Sequence, residues 1–161
     1  MGKLRAMHAC ASLCRSGHSQ HIFLIGFAGG LTTGLKVGDV IEPRLFIEQD
    51  YFAEPFEKFP NRVRSNARPL IARSIVCTML TQDRFLTENP YKNKKSVDLI
   101  ACDMESYAVA YFCSKEKIPY SVIKLISDSA DENADHDFLK ACKKLSPKLN
   151  RTVLEAIKKI R

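Results

Sequence analysis

With 161 residues, 45% of them hydrophobic and 27% charged, the chain has the composition of a globular protein with its own core. No apolar run approaches the ~20 residues that span a bilayer, and the first twenty residues lack the unbroken apolar core of a signal peptide. The net charge of +7 is concentrated between positions 140 and 161, where eight basic residues face one acid, Glu155, around a helical pattern without interleaved aromatics. That arrangement suits a solvated outer face better than a nucleic-acid surface.

Taken from the start, residues 3–15 have Leu4, Met7, Ala11 and Cys14 on one stripe, which predicts an amphipathic helix, and Gly17 is placed to cap it. Residues 21–26 (HIFLIG) predict a buried strand that runs into the string GFAGGLTTGLKVGDV. Small residues at a strand end, here Ala28 and Gly29, let a flat ligand lie against the backbone. Residues 40–48 continue as a strand, with Pro43 suggesting an edge or a bulge. Residues 49–69 have no clear period and read as a long surface excursion. Residues 71–78 predict a further strand, leading to the turn Thr81-Gln82-Asp83-Arg84-Phe85-Leu86. At the other end, residues 135–145 and 147–160 predict two helices, with Ser146 capping the second and Pro147 at its first position.

The six cysteines show no C-x-x-C spacing and mostly sit in apolar contexts, as reduced thiols of a cytoplasmic protein would. His18 and His21 are the closest histidine pair, and nothing nearby completes a metal site, so neither metal nor other cofactor is expected.

The most informative stretch is 98–131, DLIACDMESYAVAYFCSKEKIPYSVIKLISDSAD. Residues 98–102 and 120–126 are short apolar runs of the kind buried strands make. Between them Met104, Tyr107, Ala108, Tyr111 and Phe112 have helical spacing. Strand, helix and strand in about 30 residues predict a parallel crossover unit, whose strand ends open on one ligand-binding edge. Glu105 and Asp128 each fall at such an end. Singly, Glu105 is as well read as a first-turn carboxylate favoured by the helix dipole, and Asp128 as a cap or turn residue.

Jointly, D-M-E-S followed about 20 residues later by I-S-D-S-A-D resembles the paired motifs of the methylthioadenosine/S-adenosylhomocysteine nucleosidases, within the nucleoside phosphorylase superfamily. The segment GFAGGLTTGLKVGDV and the turn TQDRFL are similar to two further family motifs. The resemblance implies an α/β fold in one domain over 1–161, with a mixed central sheet flanked by helices. It implies hydrolysis of the N-glycosidic bond of an adenine nucleoside. Asp128 would protonate N7 of the leaving adenine, Ser127 would orient it, and Glu105 would accept hydrogen bonds from both ribose hydroxyls. Met104 would pack on the sugar, Phe85 would stack on the purine, Leu86 would meet the base edge through its backbone, and Phe138 would close over the substrate. Ala28 and Gly29 would line the pocket. The family works as a homodimer.

Four positions depart from the family pattern. Phe27 replaces a small residue, Gln82 a glycine, Asp103 a glutamate and Lys124 an arginine. The first ~60 family residues, with the first strands and the water-activating glutamate, are expected to be missing, because Met1-Gly2-Lys3 matches the G-x-G-K turn that opens the first family helix. A separate N-terminal fragment would then be a partner, and the sheet would keep an unpaired apolar edge. Two alternatives are a phosphorylase of the same superfamily, against which the A-G-G-L loop argues, and a non-catalytic binding or assembly subunit.

Overall fold

The structure is a computed structural model that describes residues 2–17, 20–51, 61–92 and 98–160. His18, Met1 and residues 52–60 of the expected surface excursion lie outside the described residues. The order of elements is α1 (Lys3–Arg15), β1 (Ile22–Gly30), β2 (Val40–Ile41), β3 (Leu45–Glu48), β4 (Arg62–Arg64), β5 (Thr78–Thr81), β6 (Ile100–Asp103), α2 (Ser106–Glu116), β7 (Tyr120–Asp128) and α3 (Ala134–Lys158). The seven strands form one mixed sheet in the order β2-β7-β1-β6-β5-β3-β4, and the α/β class expected from the sequence is what is found.

Helices cover both faces. On β7, side chains alternate from face to face, so that Val122 and Ile126 pack with Tyr107 and Ala110 of α2, while Ile123 packs with Ala156 of α3. Cys10 of α1 meets Val109 and Cys113 of α2 over Ile22. Each such fully buried aliphatic side chain contributes about 1.5–3 kcal/mol of transfer free energy.

The stretch 98–131 does fold as strand, helix and strand, but it is not a parallel crossover between neighbours. β1 lies between β6 and β7. It runs parallel to β7 from Ile22↔Tyr120 to Ala28↔Ile126, and after a register shift Gly29 pairs with Asp128. It runs antiparallel to β6, at Gly29↔Cys102 and Gly30↔Ala101 only. On its other edge β1 meets the four-residue β6 only at its last two positions. Among the described residues, β1 therefore has no ladder partner on its β6 side before Gly29. Gly29 stands between Asp128 and Cys102, and this brings the carboxyl ends of two antiparallel strands to one place.

Three other expectations are corrected. The strand expected over 40–48 is broken at Glu42–Arg44, because β2 pairs with β7 whereas β3 pairs with β5. Glu42 turns inward at the break and accepts the amides of Leu70 and Ile71, both at 2.8 Å. The strand expected over 71–78 begins only at Thr78. Residues 71–74 form a turn closed by Ser74 N–H on the Ile71 carbonyl, with Arg73 at φ 65°, and Ile75 makes a single bridge to Ile41. The two C-terminal helices are one continuous helix, α3, with Pro147 inside it. Its buried residues Ala134, Ala141, Thr152 and Ala156 keep one helical stripe across the proline, and packing along that stripe overrides a break that costs about 3 kcal/mol.

Candidate active site

Four chain segments converge on one cavity: the end of β1, the turn after β5, the junction of β6 with α2, and the end of β7, with Phe138 from the first turns of α3 across the opening. All nine residues singled out from the sequence line it. Ala28 and Gly29 come from β1, Phe85 and Leu86 from the turn, Met104 and Glu105 from the junction, and Ser127 and Asp128 from β7. The cavity measures about 60 Å³, far below the ~300 Å³ at which ligand pockets usually begin. Aromatic side chains account for the closure. Phe138 meets Phe27 and Phe85 edge to face, with ring centroids 6.2 and 5.7 Å away.

Asp128 ends β7 with 3% of its surface exposed. Ser127 Oγ donates to its Oδ2 at 2.6 Å, and the Ala130 amide donates to its Oδ1 at 2.9 Å. Ser127 Oγ also lies 3.2 Å from the Ala28 carbonyl, which ties the pair to β1. Burial pushes the Asp128 carboxyl above its ordinary range, with the nearby Asp131 and Asp137 adding to the push, against the pull of its two hydrogen bonds. The Ala130 bond is a turn contact, so the bland reading of Asp128 is present as well. It does not account for the cavity-facing position or the raised pKa. Beside it, burial pushes the Cys102 thiol up to about 12, so this thiol stays neutral.

Glu105 occupies the N-cap position of α2 but makes no side-chain cap bond. Asp103 does that work from two residues upstream, accepting the Ser106 amide at 3.2 and 3.1 Å and the Ser106 hydroxyl at 2.5 Å. The Glu105 carboxylate is directed elsewhere. Its Oε1 accepts the Gly2 amide at 2.9 Å, at the N-terminus of α1, and its Oε2 lies 3.6 Å from Lys124 Nζ. Lys124 Nζ in turn pairs with Asp103 Oδ2 at 3.0 Å. The cavity thus offers a buried carboxyl group inclined to hold a proton on one side and an anchored carboxylate on the other.

Comparison with known proteins gives this arrangement a family. Residues 1–158 match the family model described as the phosphorylase superfamily. The chain is 32% identical over 158 residues to the 5′-methylthioadenosine/S-adenosylhomocysteine nucleosidase of Buchnera aphidicola, covering 86% of this chain and 68% of that one. The chain belongs to the methylthioadenosine/S-adenosylhomocysteine nucleosidase family of the phosphorylase superfamily. The crystal structure of the Neisseria meningitidis nucleosidase in complex with methylthio-immucillin-A matches at a TM-score of 0.81 and 28% identity, over 98% of this chain and 78% of that one. An aminodeoxyfutalosine nucleosidase of Campylobacter jejuni is 24% identical, over 86% of this chain and 69% of that one.

Within this nucleosidase family framework, the four departures noted from the sequence gain locations. Phe27 and Gln82 line the cavity, and Phe27 supplies one of the rings that close it. Asp103 and Lys124 are bonded to each other. Sequence reasoning assigned no role to Gly2, whose amide anchors Glu105, although the G-K turn was the available signal. It also passed over Arg84, which lines the cavity from a turn position that carries no pattern.

Proposed function

We propose that the chain binds an adenine nucleoside of the methylthioadenosine/S-adenosylhomocysteine type and hydrolyses its N-glycosidic bond, releasing adenine. The observation that carries this reading is Asp128, a buried carboxyl group held by Ser127 and Ala130, raised toward the protonated form and lining the same cavity as Glu105. Glycosidic cleavage passes through an oxocarbenium-like state and needs a proton on the leaving base. A carboxylic acid with a raised pKa can supply it near neutral pH. Asp128 gives that proton to N7, and Ser127 fixes the carboxyl plane. Glu105 accepts hydrogen bonds from the 2′- and 3′-hydroxyls, which a carboxylate with two acceptor oxygens can do in one geometry.

Met104 packs on the ribose and Phe85 on the purine, with Leu86 at the base edge and Ala28 and Gly29 behind it. Phe138 must swing away for the nucleoside to enter and returns over it, since the present cavity is too small to hold one. Of the three acids lining the cavity, Asp103, Glu105 and Asp128, none is free to activate the attacking water in this scheme, and that task is assigned to none of them. A cytoplasmic, homodimeric nucleosidase goes with this reading. The free thiols of all six cysteines support the cytoplasmic part.

The test is adenine release from methylthioadenosine in phosphate-free buffer, with and without added phosphate. Phosphate-independent release supports the hydrolase reading. Release that requires phosphate replaces it with a phosphorylase, and the absence of both binding and release refutes it.

A further inference from the structure

Lys124 is a charge in an unexpected place. It sits between Val122 and Ile126 on the face of β7 that packs against α2, with 3% of its side chain exposed. A cation in such a position costs several kcal/mol unless it is paired. Its partners are Asp103 Oδ2 at 3.0 Å and Glu105 Oε2 at 3.6 Å. Gly26 lies opposite it in the ladder, where a Cβ would make an ordinary van der Waals contact with Nζ at 3.5 Å.

We propose that Lys124 is a positioning residue: its ammonium, fixed on Asp103, holds the Glu105 carboxylate where both ribose hydroxyls can reach it. Asp103 cannot yield, because Thr81 Oγ1 donates to it at 2.8 Å while the Ser106 amide and hydroxyl occupy both oxygens. The ammonium is therefore set by a rigid anchor, and it reaches Glu105 from the side opposite the Gly2 amide. One oxygen of Glu105 is claimed by Gly2 and the other faces Lys124. Each oxygen keeps one further acceptor position, enough for one hydroxyl apiece.

The two departures from the family pattern, aspartate for glutamate and lysine for arginine, are the two ends of this one bond. The proposal rests on the reading of Glu105 as the ribose clamp, and it adds what makes the clamp selective for a vicinal diol.

The experiment is equilibrium binding of adenosine and of 2′,3′-dideoxyadenosine to the chain and to Lys124→Arg and Asp103→Asn/Lys124→Met variants. The double variant leaves no unpaired buried charge, and a thermal melt checks that its fold is retained. The original chain should prefer adenosine by about 10- to 100-fold, the worth of one or two hydrogen bonds to a charged group. Asp103→Asn/Lys124→Met should bring that preference down to within about 3-fold while leaving dideoxyadenosine affinity unchanged, and Lys124→Arg should keep most of it. A merely structural lysine would lower both affinities together. An unchanged preference in the double variant, or loss of it in Lys124→Arg, overturns the proposal alone. Failure of the original chain to bind either nucleoside overturns the ribose-clamp reading and this proposal with it.

Discussion

Replacing Asp128 by asparagine separates its chemistry from its packing. The amide has nearly the same shape, can still accept the Ala130 amide that now lies 2.9 Å from Oδ1, and stays behind the same cavity wall. What disappears is the transferable proton. General-acid catalysis supplies at least ~100-fold in rate, about 2.7 kcal/mol of barrier, so turnover should fall by that much while KM changes far less. A second readout needs no substrate. Burial raises the folded-state pKa of Asp128, so the proton binds the folded chain more tightly than the unfolded one. The stability this contributes is full below the ordinary carboxylate range and is lost as pH rises through the raised pKa. Asparagine does not titrate. The melting temperature of Asp128→Asn relative to the original chain should therefore climb as pH goes from about 4 to about 7. A variant that keeps more than ~10% of turnover removes Asp128 from the proton transfer, and a Tm difference independent of pH refutes the raised pKa.

Glu105→Gln should weaken adenosine binding by about 10-fold or more and leave dideoxyadenosine nearly unaffected, as read by calorimetric titration. Gly29→Ala should destabilise the chain by about 1–3 kcal/mol in urea unfolding, because the new Cβ meets Asp128 Oδ1 and Cys102 Sγ at 3.0 Å and Ala130 Cβ at 3.2 Å. Adenine release should drop with it, since one of those contacts is Asp128, the proposed proton donor. Pro147→Ala should raise stability by about 1–3 kcal/mol, because alanine restores an amide and removes a ring clash inside α3, and a thermal melt measures it.

The residues that line the cavity were legible because they are local in sequence. Asp128 and Ser127 are neighbours, Met104 and Glu105 are neighbours, and all nine expected residues line the cavity. The boundaries of α1 were legible too, between Gly2 and Gly17, but its buried face runs through Ala6, Cys10 and Cys14, and Leu4 of the expected stripe is 83% exposed. What failed depends on partners far along the chain. Nothing in 98–131 announces that β1, some 70 residues earlier, is inserted between its two strands and reverses their relation. Pro147 looks the same to a local reading whether it opens a helix or lies within one. Only the stripe through Ala141, Thr152 and Ala156, packed in part on Ile71 and Ile123, decides between them. Likewise, two separate oddities, Asp103 and Lys124, became one contact only when β6 and β7 were placed.

The two-residue junction between β1 and β6 divides the sheet into unequal plates, one carrying β2, β7 and β1, the other β6, β5, β3 and β4. Asp128 rides on the first plate, while Glu105 follows the last residue of β6 on the second. In the proposed mechanism the proton donor and the sugar clamp thus sit on different plates, joined through one shared core in which Ala28, Val122 and Ile126 of the first pack with Phe46, Met79 and Ala101 of the second. Lys124 adds a charged tie, rooted in one plate and bonded to the other. A mutation there would loosen the carboxylates of the second plate from the first while leaving the Asp128 bonds to Ser127 and Ala130 in place.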